Sequence, residues 1–262
     1  MWELAVIPMI LNNAETWHQI NKESLGILND LQNTMYRYLL QTPRSTPIPA
    51  LCWDFGSLSM EDRIIKKKLN FIHHLASLGD GSLAKQVFLI QKAFIFPGLV
   101  NEAKKLIEEL GLDDITNTKT LKKWSKQSWK RVVKNAVSMK CSSKLKEEIL
   151  SLDKLKNGPM ANEDFETKCY MNNLSLSDAR INFKVRSRML NVKLNYKNDP
   201  MNSASLWRCD SCQTGQIESQ DHVLYCPAYA DLRVDKDIKN DSDLVQYMRN
   251  VLIVRENLQL NK

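Results

Sequence analysis

A mainly α-helical fold is predicted by three features of this 262-residue sequence. Glycine and proline, the two residues that interrupt helices, number only eight each. Long stretches are rich in Leu, Lys and Glu, which favour helix. Apolar residues recur at three- and four-residue intervals over several windows, the period of a helix with one buried face. With 43% hydrophobic and 26% charged residues, the composition is that of a globular chain able to bury a core, not a disordered one.

The helices follow in order. Residues 2–11 are a short apolar run that fits either a buried strand or the tail of a helix. From Lys22 to Leu40, Leu25, Leu28, Leu31, Met35, Tyr38 and Leu39 mark an amphipathic helix. Pro43, Pro47 and Pro49 then read as an extended connector. Ser59 and Asp62 resemble a capping box for a helix reaching about Leu78, with Ile65, Leu69, Ile72 and Leu75 inward and Gly79 and Gly81 after it. Shorter helices are expected at about 82–94 and 99–110, the latter closed by Gly111. A basic helix at 119–138 places Trp129, Val132, Val133, Ala136 and Val137 on its buried side, and another is expected at about 143–155. Asn157, Gly158 and Pro159 signal a break, and residues 174–194 a further basic helix. A short helix after Pro227 and a last one marked by Leu244, Val245, Met248, Val251 and Leu252 complete the series.

Charge is unevenly distributed. The net charge is +7, with a pI near 9.0. Residues 118–197 hold nineteen Lys/Arg against seven Asp/Glu, a surplus of twelve, so the remainder of the chain carries −5. Lys122, Lys123, Lys126, Lys130, Arg131 and Lys134 form one group, with Trp124 and Trp129 between them. Arg180, Lys184, Arg186, Arg188, Lys193 and Lys197 form a second. Such blocks suit phosphate contacts and, with exposed aromatics, base stacking; solvated helix faces have the same pattern. Lys66, Lys67 and Lys68 are consecutive, fan around a helix, and read as solvated surface. His73 and His74 have no metal-ligand neighbours in sequence and read as a partly buried pair, and Trp53 and Phe55 as core anchors.

The most specific motif is Cys209-x2-Cys212-x9-His222-x3-Cys226. Zinc takes four tetrahedral ligands from thiolate and imidazole, and Cys3His is one of its structural sets. Two cysteines two residues apart converge on one ion from a tight turn, and His222 and Cys226 are one helical turn apart. Gly215 allows the intervening loop to turn, and Ser219 is placed to cap a helix carrying His222. Four protein ligands leave no open position for substrate, so the ion is expected to be structural. A disulfide reading leaves an odd cysteine. Cys52, Cys141 and Cys169 read as ordinary buried or half-buried thiols. The opening MWELAVIPMIL lacks a basic n-region and a small-residue cleavage site and is too short to span a bilayer, which predicts an intracellular protein, nuclear or cytoplasmic, with no membrane partner.

The stretch WRCDSCQTGQIESQDHVLYCPAY, with Trp207 before the ligands and Pro227 and Tyr229 after, resembles the C-terminal zinc-binding region of non-LTR retrotransposon reverse transcriptases. ILNNAETW, LQNTMYRYLLQTPRSTPIPALCWDFGSLSMEDRI and KLNFIHHLASL resemble the segment after the polymerase palm, including the thumb. RINFKVRSRMLNVKLNYKND resembles the basic region before the zinc motif. The resemblance implies a thumb-like helical bundle over residues 1–112, a basic helical region over 113–200, a Cys3His zinc module over 201–235 and an amphipathic helix and tail over 236–262. It implies RNA or DNA as partner, with the palm and fingers of a longer polymerase as further neighbours. Nucleotide polymerisation needs carboxylates holding two metal ions, and the family carries them in an aromatic-x-Asp-Asp hairpin. The one Asp-Asp pair here, Asp113-Asp114 in GLDDIT, follows a glycine-closed helix, so this chain alone is expected to be catalytically inactive.

Overall fold

The computed structural model describes residues 2–17, 20–94, 98–121, 123–196, 207–212, 214–233 and 241–260. The described residues are mainly helical. A π-helical turn at Trp2–Val6 leads into α1 (Ile7–Ile10), followed by α2 (Lys22–Leu40), α3 (Ile48–Asp54), α4 (Met60–Ser77), α5 (Leu83–Ala93) and α6 (Leu99–Glu109). Then come α7 (Thr118–Leu121), α8 (Lys126–Ser151), α9 (Cys169–Asn173), α10 (Leu176–Arg186), α11 (Gln220–Tyr225) and α12 (Asp241–Leu260), with short 3-10 turns between some of them. Among the described residues the only extended pairings noted are two isolated antiparallel bridges, Phe55 with Thr167 and Arg208 with Ile217. No described helix is long and apolar enough to cross a membrane.

The chain divides into two compact units, Met1–Gln32 with Leu58–Leu145, and Asn33–Ser57 with Lys146–Lys262. These do not coincide with the sequence-based boundaries at 112, 200 and 235. The chain passes between units three times, between α3 and α4 at Ser57–Leu58 and inside α2 and α8, where helical periodicity continues and leaves no composition break to read.

In the first unit α4 is the central element, packed against α5, α6 and α7. Ser59 starts it as an N-cap: its hydroxyl accepts from the Asp62 N–H at 3.1 Å and donates to the Asp62 carboxylate at 2.6 Å, so Asp62 meets the Ser59 hydroxyl where a capping box would use the Ser59 backbone N–H. Met60 and Ile64 close a cluster with Ile7, Leu11 and Ala14. Gly111 and Leu112 end α6 by bonding back to Glu108 and Ile107, a Schellman closure. Trp129 of α8, 1% exposed, donates its indole N–H to the Leu69 carbonyl at 3.2 Å and stacks on His73. That contact fixes α8 beside α4. His73 is buried while His74 is exposed, so the two do not form the expected partly buried pair.

The second unit has a polar knot within its core. Asp54, wholly buried at the end of α3, accepts from Arg186 Nε at 2.9 Å, from Arg186 Nη2 at 3.0 Å and from the Tyr170 hydroxyl at 2.7 Å. Glu163 completes the Arg186 fork and also pairs with Lys168 at 3.0 Å. Thr167 donates to the Phe55 carbonyl, and Gly56 packs so tightly here that a Cβ would lie 2.4 Å from the Thr167 nitrogen. With φ of +56° as well, that position admits only glycine. Trp53 and Phe55 are core anchors as expected: Trp53 is 1% exposed and Phe55 stacks on Tyr36 at 4.2 Å.

Three local expectations are corrected, and one left open is decided: the segment at 2–11, which fitted a strand or the tail of a helix, is helical over Trp2–Ile10. The 43–49 connector is not wholly extended: helix α3 begins at Ile48, with Pro49 in its first turn, where a missing N–H costs nothing. Residues 126–151 form one helix instead of two, because no glycine or proline interrupts them and Trp129, Val133, Val137, Cys141, Leu145 and Ile149 keep one continuous buried stripe. The helix expected to reach residue 194 stops at Arg186, where Arg188 adopts φ of +54° and Asn195 caps the freed Arg188 and Leu190 carbonyls. Cys141 and Cys52 are buried, but Cys169 is exposed.

Candidate metal centre

The segment from Trp207 to Tyr229 brings four side chains to one point. The Cys209 N–H bonds the Gln216 carbonyl at 2.9 Å and the Glu218 N–H bonds the Trp207 carbonyl at 2.7 Å, tying off the loop that carries Cys209 and Cys212. Gly215 turns this loop with φ of +69°. Ser219 accepts from the His222 N–H at 3.0 Å, so the cap predicted for α11 forms and sets the phase of His222. Pro227 keeps Cys226 out of helical geometry, at φ −56° and ψ 130°, which turns its thiol back toward the loop.

The Sγ atoms of Cys209 and Cys226 lie 3.9 Å apart, and Cys212 Sγ lies 3.4 Å from His222 Nε2. All four donor atoms fall within 4.8 Å of one another. A tetrahedral ion bonded to sulfur at about 2.3 Å and nitrogen at about 2.0 Å has edges of about 3.8 Å between sulfurs and about 3.5 Å between sulfur and nitrogen. The quartet therefore fits a metal ion, and its donor set suits zinc. A sulfur separation of 3.9 Å is nearly twice a disulfide bond, and none of the six cysteines is in a disulfide.

Neighbouring groups orient the ligands. His222 Nδ1 lies 2.7 Å from Gln216 Oε1, an acceptor that keeps the ring proton on Nδ1 and leaves the Nε2 lone pair to the site. Without metal the thiols are unequal. The Thr214 hydroxyl pulls Cys212 down to about 6, whereas burial pushes Cys226 up to about 12. The centre is built into the core: Cys209 and Cys226 pack with Val185, Leu190 and Val192 from the chain around α10, with Val223 and Tyr229, and with Tyr247, Met248 and Val251 of α12. Tyr247 donates its hydroxyl to the Val223 and Leu224 carbonyls, Gln220 reaches the Val185 carbonyl at 2.6 Å, and buried Glu218 pairs with Arg255 at 2.6 Å. Sequence reasoning missed Gln216, Glu218, Gln220, Tyr247 and Arg255, since nothing in their spacing marks them as supports.

The two basic groups differ. In the first unit Lys123, Lys126, Lys130, Arg131 and Lys134 are all exposed; Lys122 lies outside the described residues. In the second unit Arg186 is spent on Asp54 and Glu163, so it does not face solvent as a phosphate contact would require. Arg180 donates to the Leu39 carbonyl, Arg188 pairs with Asp221 at 2.9 Å, and Lys193 pairs with Asp210 at 2.7 Å. Lys184 is half-buried, and Lys197 lies outside the described residues. Asp113 and Asp114 are engaged locally: Asp113 accepts from the Trp124 indole at 3.1 Å and Asp114 from the Thr116 N–H and hydroxyl. No protein-family model matches the chain, and neither the curated proteins nor the solved structures contain a match to it.

Proposed function

We propose that this chain is the nucleic-acid-binding C-terminal part of a non-LTR retrotransposon reverse transcriptase, with a structural zinc ion at Cys209, Cys212, His222 and Cys226. The observation that carries the reading is the convergence of these four donor atoms at tetrahedral spacing, in the motif that resembles the family's zinc-binding region. The family's order of segments, thumb-like helices then basic stretch then zinc module, supports it. A closed Cys3His site supplies no chemistry, since no ligand position is left for substrate. The working surface is the exposed basic face of α8, which binds RNA or DNA by displacing counterions from phosphates. The chain by itself does not polymerise.

Two measurements test this. Zinc analysis of the purified protein is expected to return one equivalent, lost in the Cys226→Ser variant. Binding to single-stranded RNA is expected to weaken steeply with salt. Negligible affinity at low salt, or affinity indifferent to salt, would overturn the nucleic-acid reading.

A second reading is a zinc-stabilised helical interaction module from a decayed or reused element, with no nucleic-acid role. The commitment of Arg180, Arg186, Arg188 and Lys193 to internal partners favours it. It predicts a full equivalent of zinc with no salt-sensitive binding.

A further inference from the structure

Four basic residues occupy α4 between positions 63 and 68, and three of them are neutralised within their own unit. Arg63 bridges both carboxylate oxygens of Glu3 at 2.7 Å each, Lys67 pairs with Glu15 at 3.3 Å, and Lys68 pairs with Glu102. Lys66 makes no ion pair among the described residues. It is half-buried, and the charges that act on it are those of Arg63, Lys134 and Glu3. Trp124, just before α8, and Trp129 of α8 meet His73 and Leu69 of α4 in turn, so the two helices run antiparallel here, and the same register carries Lys134, beyond Trp129, toward the level of Lys66, one turn before Leu69. Burial first, then the charges of Arg63 and Lys134, hold the Lys66 amine below the ordinary lysine range.

A half-buried ammonium acted on by neighbouring cations raises the energy of the free protein, and an anion placed against it lowers that energy. Glu3, the carboxylate that acts on Lys66, is already held by the Arg63 fork. From the same spot Lys130 and Lys126 continue along α8 on successive turns, both exposed, spanning about 12 Å from Lys126 to Lys134. A phosphodiester chain, with its regular unit charges, matches a row that starts in a cationic seat and continues along a helix.

We propose that Lys66 and Lys134 form one phosphate-binding seat at the junction of α4 and α8, at the head of a track through Lys130 and Lys126 that follows a nucleic-acid backbone. This rests on the nucleic-acid reading above and adds Lys66, a residue that sequence alone places on the solvated surface. A phosphate seat reads no bases, so RNA and DNA share it.

The test titrates the full-length zinc-loaded protein against fluorescent homopolymeric single-stranded RNA, and DNA of the same length, over a range of salt. Lys66→Gln and Lys134→Gln are each expected to weaken binding roughly three- to tenfold near about 0.1 M salt and to lower the log–log salt slope by about 0.7, one phosphate's worth on a single strand. The double variant is expected to lose little more slope than either alone, because both lysines hold the same phosphate. Lys67→Gln, whose partner is Glu15, is expected to bind within about twofold of the parent. Without ligand, Lys66→Gln is expected to melt no lower than the parent, since it removes a desolvated charge facing other cations. If the parent binds and Lys66→Gln matches it in affinity and slope, the seat is wrong while the function stands. Absence of binding by the parent removes both. A loss confined to RNA, an equal loss in Lys67→Gln, or a sharply lower melting temperature in Lys66→Gln also overturns the seat.

Discussion

The cations at and just before the start of α8 and those around α10 look alike in sequence, six Lys/Arg within a short span in each case, yet the fold uses them oppositely. Along α8 the described members of the group all face solvent. Around α10, Arg186 is buried in a fork with Asp54 and Glu163, and Arg180, Arg188 and Lys193 each hold an internal acceptor. Net charge over a window therefore says how many cations are present, not how many remain to meet a ligand. That depends on carboxylates contributed from elsewhere: Asp54 lies 132 residues from Arg186.

Removing the proposed zinc is the harshest way to separate the two groups. Structural zinc contributes on the order of 10 kcal/mol in small zinc peptides. Because Cys209 and Cys226 share a core with residues of α11 and α12 and with Val185 of α10, chelation is expected to unprotect these helices, not only the segment 207–230. Hydrogen exchange read by mass spectrometry is expected to show α4 and the Lys126–Leu145 part of α8 still protected. Loss of protection throughout the chain would mean the first unit does not stand without the second.

Next in size is the buried fork. Arg186→Ala strands the wholly buried Asp54 carboxylate without its guanidinium partner and is expected to cost about 3–5 kcal/mol in thermal or denaturant unfolding. Lys130→Ala, at an exposed position, is expected to stay within about 0.5 kcal/mol. Equal losses in the two would erase the distinction between the stretches.

RNA affinity is expected to invert that order. Replacing Lys126, Lys130 and Lys134 together by Ala is predicted to weaken binding by at least about tenfold near 0.1 M salt and to reduce the salt slope by about two. Arg188→Ala, whose side chain already holds Asp221, is expected to leave affinity nearly unchanged in the same titration.

The smallest effect concerns acid. Burial opposes the charge on Glu163, but its hydrogen bonds and ion pairs with Arg186 and Lys168 outweigh it and hold the carboxyl below its usual 4.5. A carboxyl lowered in the folded state adds stability above its unfolded value, and that contribution disappears as pH falls through the folded one. Melting temperatures taken between about pH 5 and about pH 3 are expected to fall less in Glu163→Gln than in the parent. A parallel fall in both would remove Glu163 as a source of the acid sensitivity.

Much was legible where the signal is local. Helix α2 ends where the periodicity placed it, Ser59 and Ser219 cap as their spacing implied, and the donor quartet follows from a turn and one short helix within 18 residues. Each of these depends on backbone geometry and neighbours a few positions away. The continuity of α8 through Lys140 and Cys141 was misread because a run of polar residues hides a buried stripe that only packing makes visible. The division inside α2 and α8 was equally invisible, since a helix carries no mark of which core its successive turns join.

By itself, then, the amino-acid order determined the helical class, the caps and the convergence of four side chains able to hold a metal ion, because short-range sterics and hydrogen bonding decide them. Tertiary structure alone decided which cations meet solvent: it brought Asp54 to Arg186, left Lys130 exposed and left Lys66 half-buried. The physical reason is that an ion pair is settled by distance in space, and those distances join residues tens to more than a hundred positions apart.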